Sequence, residues 1–254
     1  MRILGRLAAG ALAALCLVTT ASCSGSGETP SPTQSTPSAA ERLAASKAKV
    51  DAATSVHLTL ASKDVPEGSN GIISADGWGK HPPAFKGTFK VRLGGIEADA
   101  EITSVDGAVY AKLPFVPGTR KIDPASLGLP DPATLFSPDA GLTSLMTKTT
   151  SPTVTGQVRA GSEVLTTITG TIPGAAVVDL FKIGDPNGTF AVTYGLTDTN
   201  ELRTVTLTGP FFGAGTTSTY VLTLDQYGQP VTITAPKNGP VSVTVRNSLV
   251  SVRP

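Results

Sequence analysis

An α+β fold, one large antiparallel sheet with a few helices laid on one side, is what this sequence predicts on three observations. A single helical stretch precedes any strand pattern. From Ser55 onward, short runs alternate apolar with polar residues and are separated by Gly, Pro or Asp-Gly, the signature of strands with one wet face. Two further helical stretches then interrupt the strand series, giving the order helix, several strands, helices, two strands, helix, four strands.

The first helix is AAERLAASKAKVDAAT, Ala39 to Thr54, which carries Leu43, Ala44, Lys47 and Val50 at helical spacing and lacks Gly and Pro. HLTLAS, GTFKVRL, EADAEITSV and AVYAKL follow with period two, so Phe89, Val91 and Leu93 share one strand face and Thr88, Lys90 and Arg92 the other. LGG at Leu93 to Gly95 and VDG at Val105 to Gly107 read as tight turns, making Phe85 to Leu113 an antiparallel meander. In DPATLFSPDAGLTSLMTKT the apolar set is Leu135, Phe136, Leu142, Leu145 and Met146, and Pro138 with Gly141 is expected to split it into two short helices. VTGQV and EVLTTITGTI are strands, PGAAVVDLFK a helix opened by Pro173, and GTFAVTYGL, LRTVTLTG, TSTYVLTLDQYG and QPVTITAP four more strands, rich in Thr as wet outer faces are.

Ahead of this body stand Arg2, Arg6 and an apolar run from Leu7 to Val18, followed by small residues: residues 1–22 read as a secretory signal peptide. The run falls short of the roughly 20 residues that a relaxed membrane span needs. Cys23 follows directly, and ASC resembles the lipobox of bacterial lipoproteins, whose cysteine is acylated and becomes the mature N-terminus. Ala21 and Ser22 fit that pattern, whereas Thr20 stands where leucine or valine is usual. Cys16 leaves with the leader, so an acylated Cys23 leaves no cysteine for a disulfide, and stability must come from burial. Ser24 to Ala39 is almost entirely Ser, Thr, Pro and Gly with one acid, Glu28, a tether that cannot bury enough apolar area to offset chain entropy. Sixteen such residues span about 20 to 25 Å. The organisation expected is therefore leader 1–22, lipidated cysteine and tether 23–39, one domain 40–236, and an extension 237–254 whose alternating Val241, Val243 and Val245 suit an edge strand.

A net charge of +1 with 15% charged and 5% aromatic residues leaves no electrostatic footprint for nucleic acid and no basic membrane patch. Catalytic patterns are missing: there is no GxSxG, HExxH, Walker loop, GxGxxG or CxxC, and no metal or other cofactor is expected. Of the two histidines, His57 reads as a strand residue and His81 as a loop residue before a Pro-Pro pair, neither with a partner at a recognisable spacing. GPFFGAG, Gly209 to Gly215, precedes no helix and reads as a loop. Scattered Asp76, Asp99, Glu101, Asp106 and Asp123 read as solvated charge. An enzyme is not expected.

Helix one followed by SVHLTL, then GTFKVRLGG, EADAEITSVDGAVYAKL, KIDPASLGLPDP, LFSPDAGLTSLM, ITGTIPGAAVVDLF and QYGQPVTITAP together resemble the mycobacterial LppX, LprA, LprF and LprG lipoprotein family, over roughly Ala40 to Pro236. Tyr227-Gly228 replaces the family's usual Trp-Gly, and the tail from Lys237 runs past its usual end. The resemblance implies a strongly curved half-barrel with several helices packed across its concave side, enclosing an apolar cavity for acyl chains. It implies a non-catalytic carrier of acylated lipids, glycolipids or triacylglycerol, lipid-anchored on the outer face of the cytoplasmic membrane, with a membrane lipid exporter as donor. Alternation supplies the candidate walls: Phe89, Val91, Leu93, Ile96, Ala98, Ala100 and Ile102 on the meander; Leu135, Leu142, Leu145, Met146, Val177, Val178 and Phe181 on the helices. The competing expectation is that these residues make a dry core in an envelope module that binds another protein.

Overall fold

The computed structural model describes residues 36–114 and 116–236; the leader, Cys23, the tether up to residue 35 and the 237–254 extension lie outside the described residues. Helix α1 (Ala39–Ala52) starts where Ser38 and Glu41 form a reciprocal capping box: Glu41 N–H donates to Ser38 Oγ at 3.2 Å and Ser38 N–H to Glu41 Oε2 at 2.7 Å. Its apolar stripe buries Leu43 and Val50.

The alternating segments form β1 (Ser55–Lys63), β2 (Gly71–Lys80), β3 (Ala84–Leu93), β4 (Ile96–Val105), β5 (Ala108–Lys112) and β6 (Arg120–Ile122). Two single-turn 3-10 helices (Pro124–Leu127 and Pro132–Phe136) and α2 (Ser144–Thr147) come next. Strands β7 (Thr150–Ala160) and β8 (Glu163–Pro173), α3 (Gly174–Phe181), β9 (Thr189–Leu196), β10 (Leu202–Gly209) and β11 (Ser218–Asp225) complete the elements of the described residues. All eleven strands belong to one open antiparallel sheet, in the order β6-β5-β4-β3-β2-β1-β11-β10-β9-β8-β7. The expected α+β architecture is what forms, with two sequential meanders, β1–β6 and β7–β11, joined where β1 pairs with β11.

This topology dictates the rest. The chain leaves the sheet at one edge, β6, and re-enters at the opposite edge, β7, so residues 123–149 must cross the sheet's full width. They do so over the inner face, where Phe136, Leu142, Leu145 and Met146 are buried against Phe85, Ile168, Val192 and Leu222. The crossover is split as expected around Pro138 and Gly141: Gly141 N–H donates to Ser137 O at 2.7 Å, and Leu142 N–H to Leu135 O at 2.9 Å. Helix α1 fastens it, Lys47 Nζ donating to Pro138 O at 2.6 Å and Thr143 Oγ1 to Asp51 Oδ1 at 2.7 Å. Arg42 pins the same helix to the β9–β10 turn, donating to Asn200 Oδ1 at 2.9 Å and Thr197 O at 3.1 Å.

Both expected turns of the meander occur. Gly94-Gly95 and Asp106-Gly107 join their strands as two-residue loops with positive φ throughout, the twist that matches flanking strands. Two expectations are corrected. GIISADGWGK, a segment given no assignment from its pattern, is β2: its inner positions are Ile72, Ala75, Gly77 and Gly79, so it shows no apolar alternation and is recognised only through its neighbours. QPVTITAP, read as a strand, has no strand structure, because β11 is already paired on both sides and Pro230 and Pro236 offer no N–H. It instead runs past Ser55, which accepts from Gly228 N–H at 2.9 Å, and packs Val231 and Ile233 against Ala84, Val105 and Tyr110.

Glycine on β2 is a packing requirement. A Cβ on Gly79 would lie 2.1 Å from the Phe136 ring, which therefore rests on bare backbone and stacks 6.1 Å from Phe85. Gly79→Ala is expected to lift Phe136 off the sheet and lower unfolding free energy by about 1–3 kcal/mol. Chemical denaturation checks this, and an unchanged midpoint would show that the crossover sits loosely on the sheet.

Candidate functional site: the seam between sheet and crossover

Curvature and the crossover together leave an apolar seam on the inner face. The main cavity, about 40 Å³, lies between β1, β2 and β3 on one side and the crossover and α3 on the other; Leu58, Leu60, Ala75, Phe85 and Phe89 face Leu129, Leu135 and Phe181. A second space of about 50 Å³ continues from it toward β6, sharing Ile72, Phe89, Leu129 and Pro130. A third, about 10 Å³, lies toward α2 and shares Phe181. At the β6 end the seam meets an open groove of about 510 Å³, with Val109, Ile122, Pro124, Leu129 and Pro130 common to both.

The enclosed spaces are each within about two water volumes. Of the spaces along the seam, only the groove has the size of an ordinary ligand pocket. Its rim is polar: Asp123 accepts from Ala125 N–H at 3.1 Å, Asp131 from Ala133 N–H at 2.9 Å and from Ser104 Oγ, so both carboxylates cap the 3-10 turns. Lys121 and Lys182 also line it, and Lys182 Nζ donates to Asp179 O at 2.7 Å.

Of the wall candidates named from alternation, Phe89, Val91, Ile102, Leu135, Leu142, Leu145, Met146 and Phe181 all line the seam. Ala100 and Val177 are buried in the continuous core without lining a cavity, and Leu93, Ala98 and Val178 are half-buried away from one. Ile96 is 73% exposed, because it opens β4 directly after the Gly94-Gly95 turn, where the hairpin projects beyond the crossover. Leu58, Leu60, Ile72, Phe85, Leu129 and Tyr220 line the main cavity and were not among the candidates. The alternation of HLTLAS and TSTYVLTLDQYG carried the signal for Leu58, Leu60 and Tyr220; Ile72 and Leu129 had none. Tyr227, in place of the tryptophan, packs on the core and donates to Leu202 O at 2.6 Å.

His57 has partners that its sequence neighbourhood hides. It sits on the outer face, register-paired with Asp225 on one side and Trp78 on the other. Nδ1 lies 2.8 Å from Asp225 Oδ1, Nε2 lies 3.3 Å from Asp76 Oδ1, and the ring stands 5.1 Å from that of Trp78. No nucleophile adjoins it, so the cluster is a clamp across strands. Among the described residues, no group of His, Cys, Asp and Glu could hold a metal, and no helix is long and apolar enough to cross a membrane.

An antiparallel half-barrel, its concave side covered by a crossover of short helices over a row of small apolar spaces, defines the class: a sheet-and-lid α+β protein. The LppX_LprAFG lipoprotein model matches residues 38–233, and this chain belongs to that family. It is 26% identical over 232 residues to the lipoarabinomannan carrier proteins LprG of Mycobacterium tuberculosis and Mycobacterium bovis, covering 91% of this chain and 95% of each relative. The crystal structure of LprF from Mycobacterium bovis superposes with a TM-score of 0.62 at 21% identity, over 78% of this chain and 96% of that one. LppX from Mycobacterium tuberculosis gives 0.57 at 19%, over 77% and 98%.

The clamp makes a signed prediction. Burial disfavours the charged imidazolium, but hydrogen bonds to Asp225 and Asp76 and their charges outweigh it, raising the His57 pKa above 6.5. The folded state thus holds the proton more tightly than the unfolded chain. The clamp's stabilisation is fully present below about pH 6.5 and is lost as pH rises through the raised folded value. An NMR titration should place the His57 midpoint above 6.5, and Asp225→Asn should bring it down; a midpoint at or below 6.5 contradicts the geometry.

Proposed function

We propose that this chain is a non-catalytic envelope lipoprotein that takes acyl chains of acylated lipids, glycolipids or triacylglycerol into the seam and helps move them across the cell envelope. The observation that carries this reading is the row of neighbouring apolar spaces between sheet and crossover. Predominantly apolar spaces that share lining residues run from α2 to β6, and the last shares walls with an open groove. Family membership supports it, as does the naming of the LprG relatives as lipoarabinomannan carrier proteins.

Cys23 is the anchor and the segment from Ser24 to Pro37 the reach, holding the domain at the outer face of the cytoplasmic membrane, with a membrane lipid exporter as the donor; Ser38 and Ala39 belong to the capped start of α1. Loading requires the crossover to stand off the sheet, since the enclosed spaces are too small for a long chain. Its construction allows this: single 3-10 turns and loops carry few ladder hydrogen bonds of their own. Burying hydrocarbon gains about 0.8 kcal/mol per methylene, so even part of a chain offsets lost crossover contacts. Release is then to a second membrane or partner.

The small enclosed volume favours a second reading, an envelope module that binds another protein through a filled interior. Both are decided by purifying the acylated full-length chain from an actinobacterial host and analysing co-purifying lipid by mass spectrometry. The carrier reading expects roughly stoichiometric acylated lipid, retained through washing. Lipid-free protein after gentle extraction favours the protein-binding module.

A further inference from the structure

Four tyrosines occur in the chain, and three of them have their phenols deep in the fold. Tyr194 Oη shares a hydrogen bond with Thr149 Oγ1 at 2.8 Å, and Tyr227 Oη donates to Leu202 O at 2.6 Å. Tyr220 is different: it is 6% exposed, and among the described residues its hydroxyl has no protein partner. An unpaired polar group in a native interior needs an explanation, because it carries its desolvation cost with nothing in return.

The surroundings point to one. Tyr220 lies on the inner face of β11, its ring edge-on to Phe211 at 4.6 Å, and it lines the main cavity. Every other residue lining that cavity is aliphatic, aromatic, proline or glycine, so Tyr220 brings the sole polar side chain to it. Gly71 and the Phe212 ring lie beside the hydroxyl: a Cβ on Gly71 would meet the ring at 3.2 Å and Oη at 3.6 Å. Water is a poor occupant, because a buried water needs two to four polar partners and these walls supply one. A carboxylate or phosphate is worse, since a single neutral donor cannot offset burying a charge. Burial pushes the phenol up to about 12, so the group remains a donor at any physiological pH.

We propose that Tyr220 Oη is the polar anchor of the seam and donates a hydrogen bond to the carbonyl oxygen of a neutral ester that has hydrocarbon on both sides. This rests on the carrier reading and sharpens it: within the cargo, one ester carbonyl embedded between apolar arms is the group that Tyr220 recognises. A purely hydrocarbon or ether-linked chain fills the same walls but leaves the phenol unpaired.

The test compares full-length protein with its Tyr220→Phe variant, each equilibrated with phosphatidylcholine vesicles containing labelled triolein or the matching tri-oleyl ether. Protein-bound label is counted after vesicle removal. The wild type is expected to bind the ester about five-fold better than the ether, the worth of one ordinary hydrogen bond, and Tyr220→Phe to bind the two alike. The variant loses only an unpaired hydroxyl, so its ligand-free melting temperature should be equal or higher, separating lost recognition from lost fold. A wild type indifferent to the ester, or a variant that keeps the five-fold preference, overturns the proposal while leaving the carrier reading standing. Failure of the wild type to bind either lipid overturns both.

Discussion

The pairing of β1 with β11, from His57↔Asp225 to Lys63↔Thr219, is the one junction between strands far apart in sequence, and the architecture depends on it. Every other strand pair joins neighbours in the chain, so each meander closes at low entropic cost. Joining them through the first and last strands puts β6 and β7 at opposite edges of an eleven-stranded sheet. The connection between them then has no route except across a face. The seam is therefore a product of topology: a segment obliged to cross the sheet meets it as a separate layer, without backbone hydrogen bonding to it along its length.

What that layer is made of decides what it can do. A continuous helix of that length would bury one long stripe and close the interface. Pro124, Pro132, Pro138 and Gly141 instead break it into single turns, and the two 3-10 turns are capped by side chains, Asp123 for the first and Asp131 for the second. The anchoring is uneven. At the α2 end, α1 holds the crossover through Lys47 and Asp51, whereas at the β6 end the seam widens into the groove. An opening motion hinged near α2 would widen the end that already faces solvent.

Most of the fold was legible in the sequence because period two is a strong signal wherever the inner face carries large aliphatics, as in SVHLTL or LRTVTLTG. It failed in both directions at particular residues. β2 presents Ala75, Gly77 and Gly79 inward so that Phe85 and Phe136 can lie on its backbone, and that exchange of bulk between layers erases the alternation. VTITAP alternates well but follows β11, which is already paired on both sides. The seam was half legible for a similar reason: alternation identifies the inner face, but not which inward residues sit under the crossover, so Ile96 was included and Leu58 and Phe85 were not. His57 and its carboxylates were invisible, since Asp76 and Asp225 come from neighbouring strands at separations of 19 and 168 residues.

The central claim is that hydrocarbon enters between sheet and crossover. The most direct measurement is photo-cross-linking with an acyl lipid carrying a diazirine at its chain end, with adducts mapped by peptide mass spectrometry. Adducts are expected on inward residues such as Leu60, Phe89, Leu135 and Phe181, which wall the main cavity. Adducts confined to the outer face, or none above the level of a denatured control, would contradict the account.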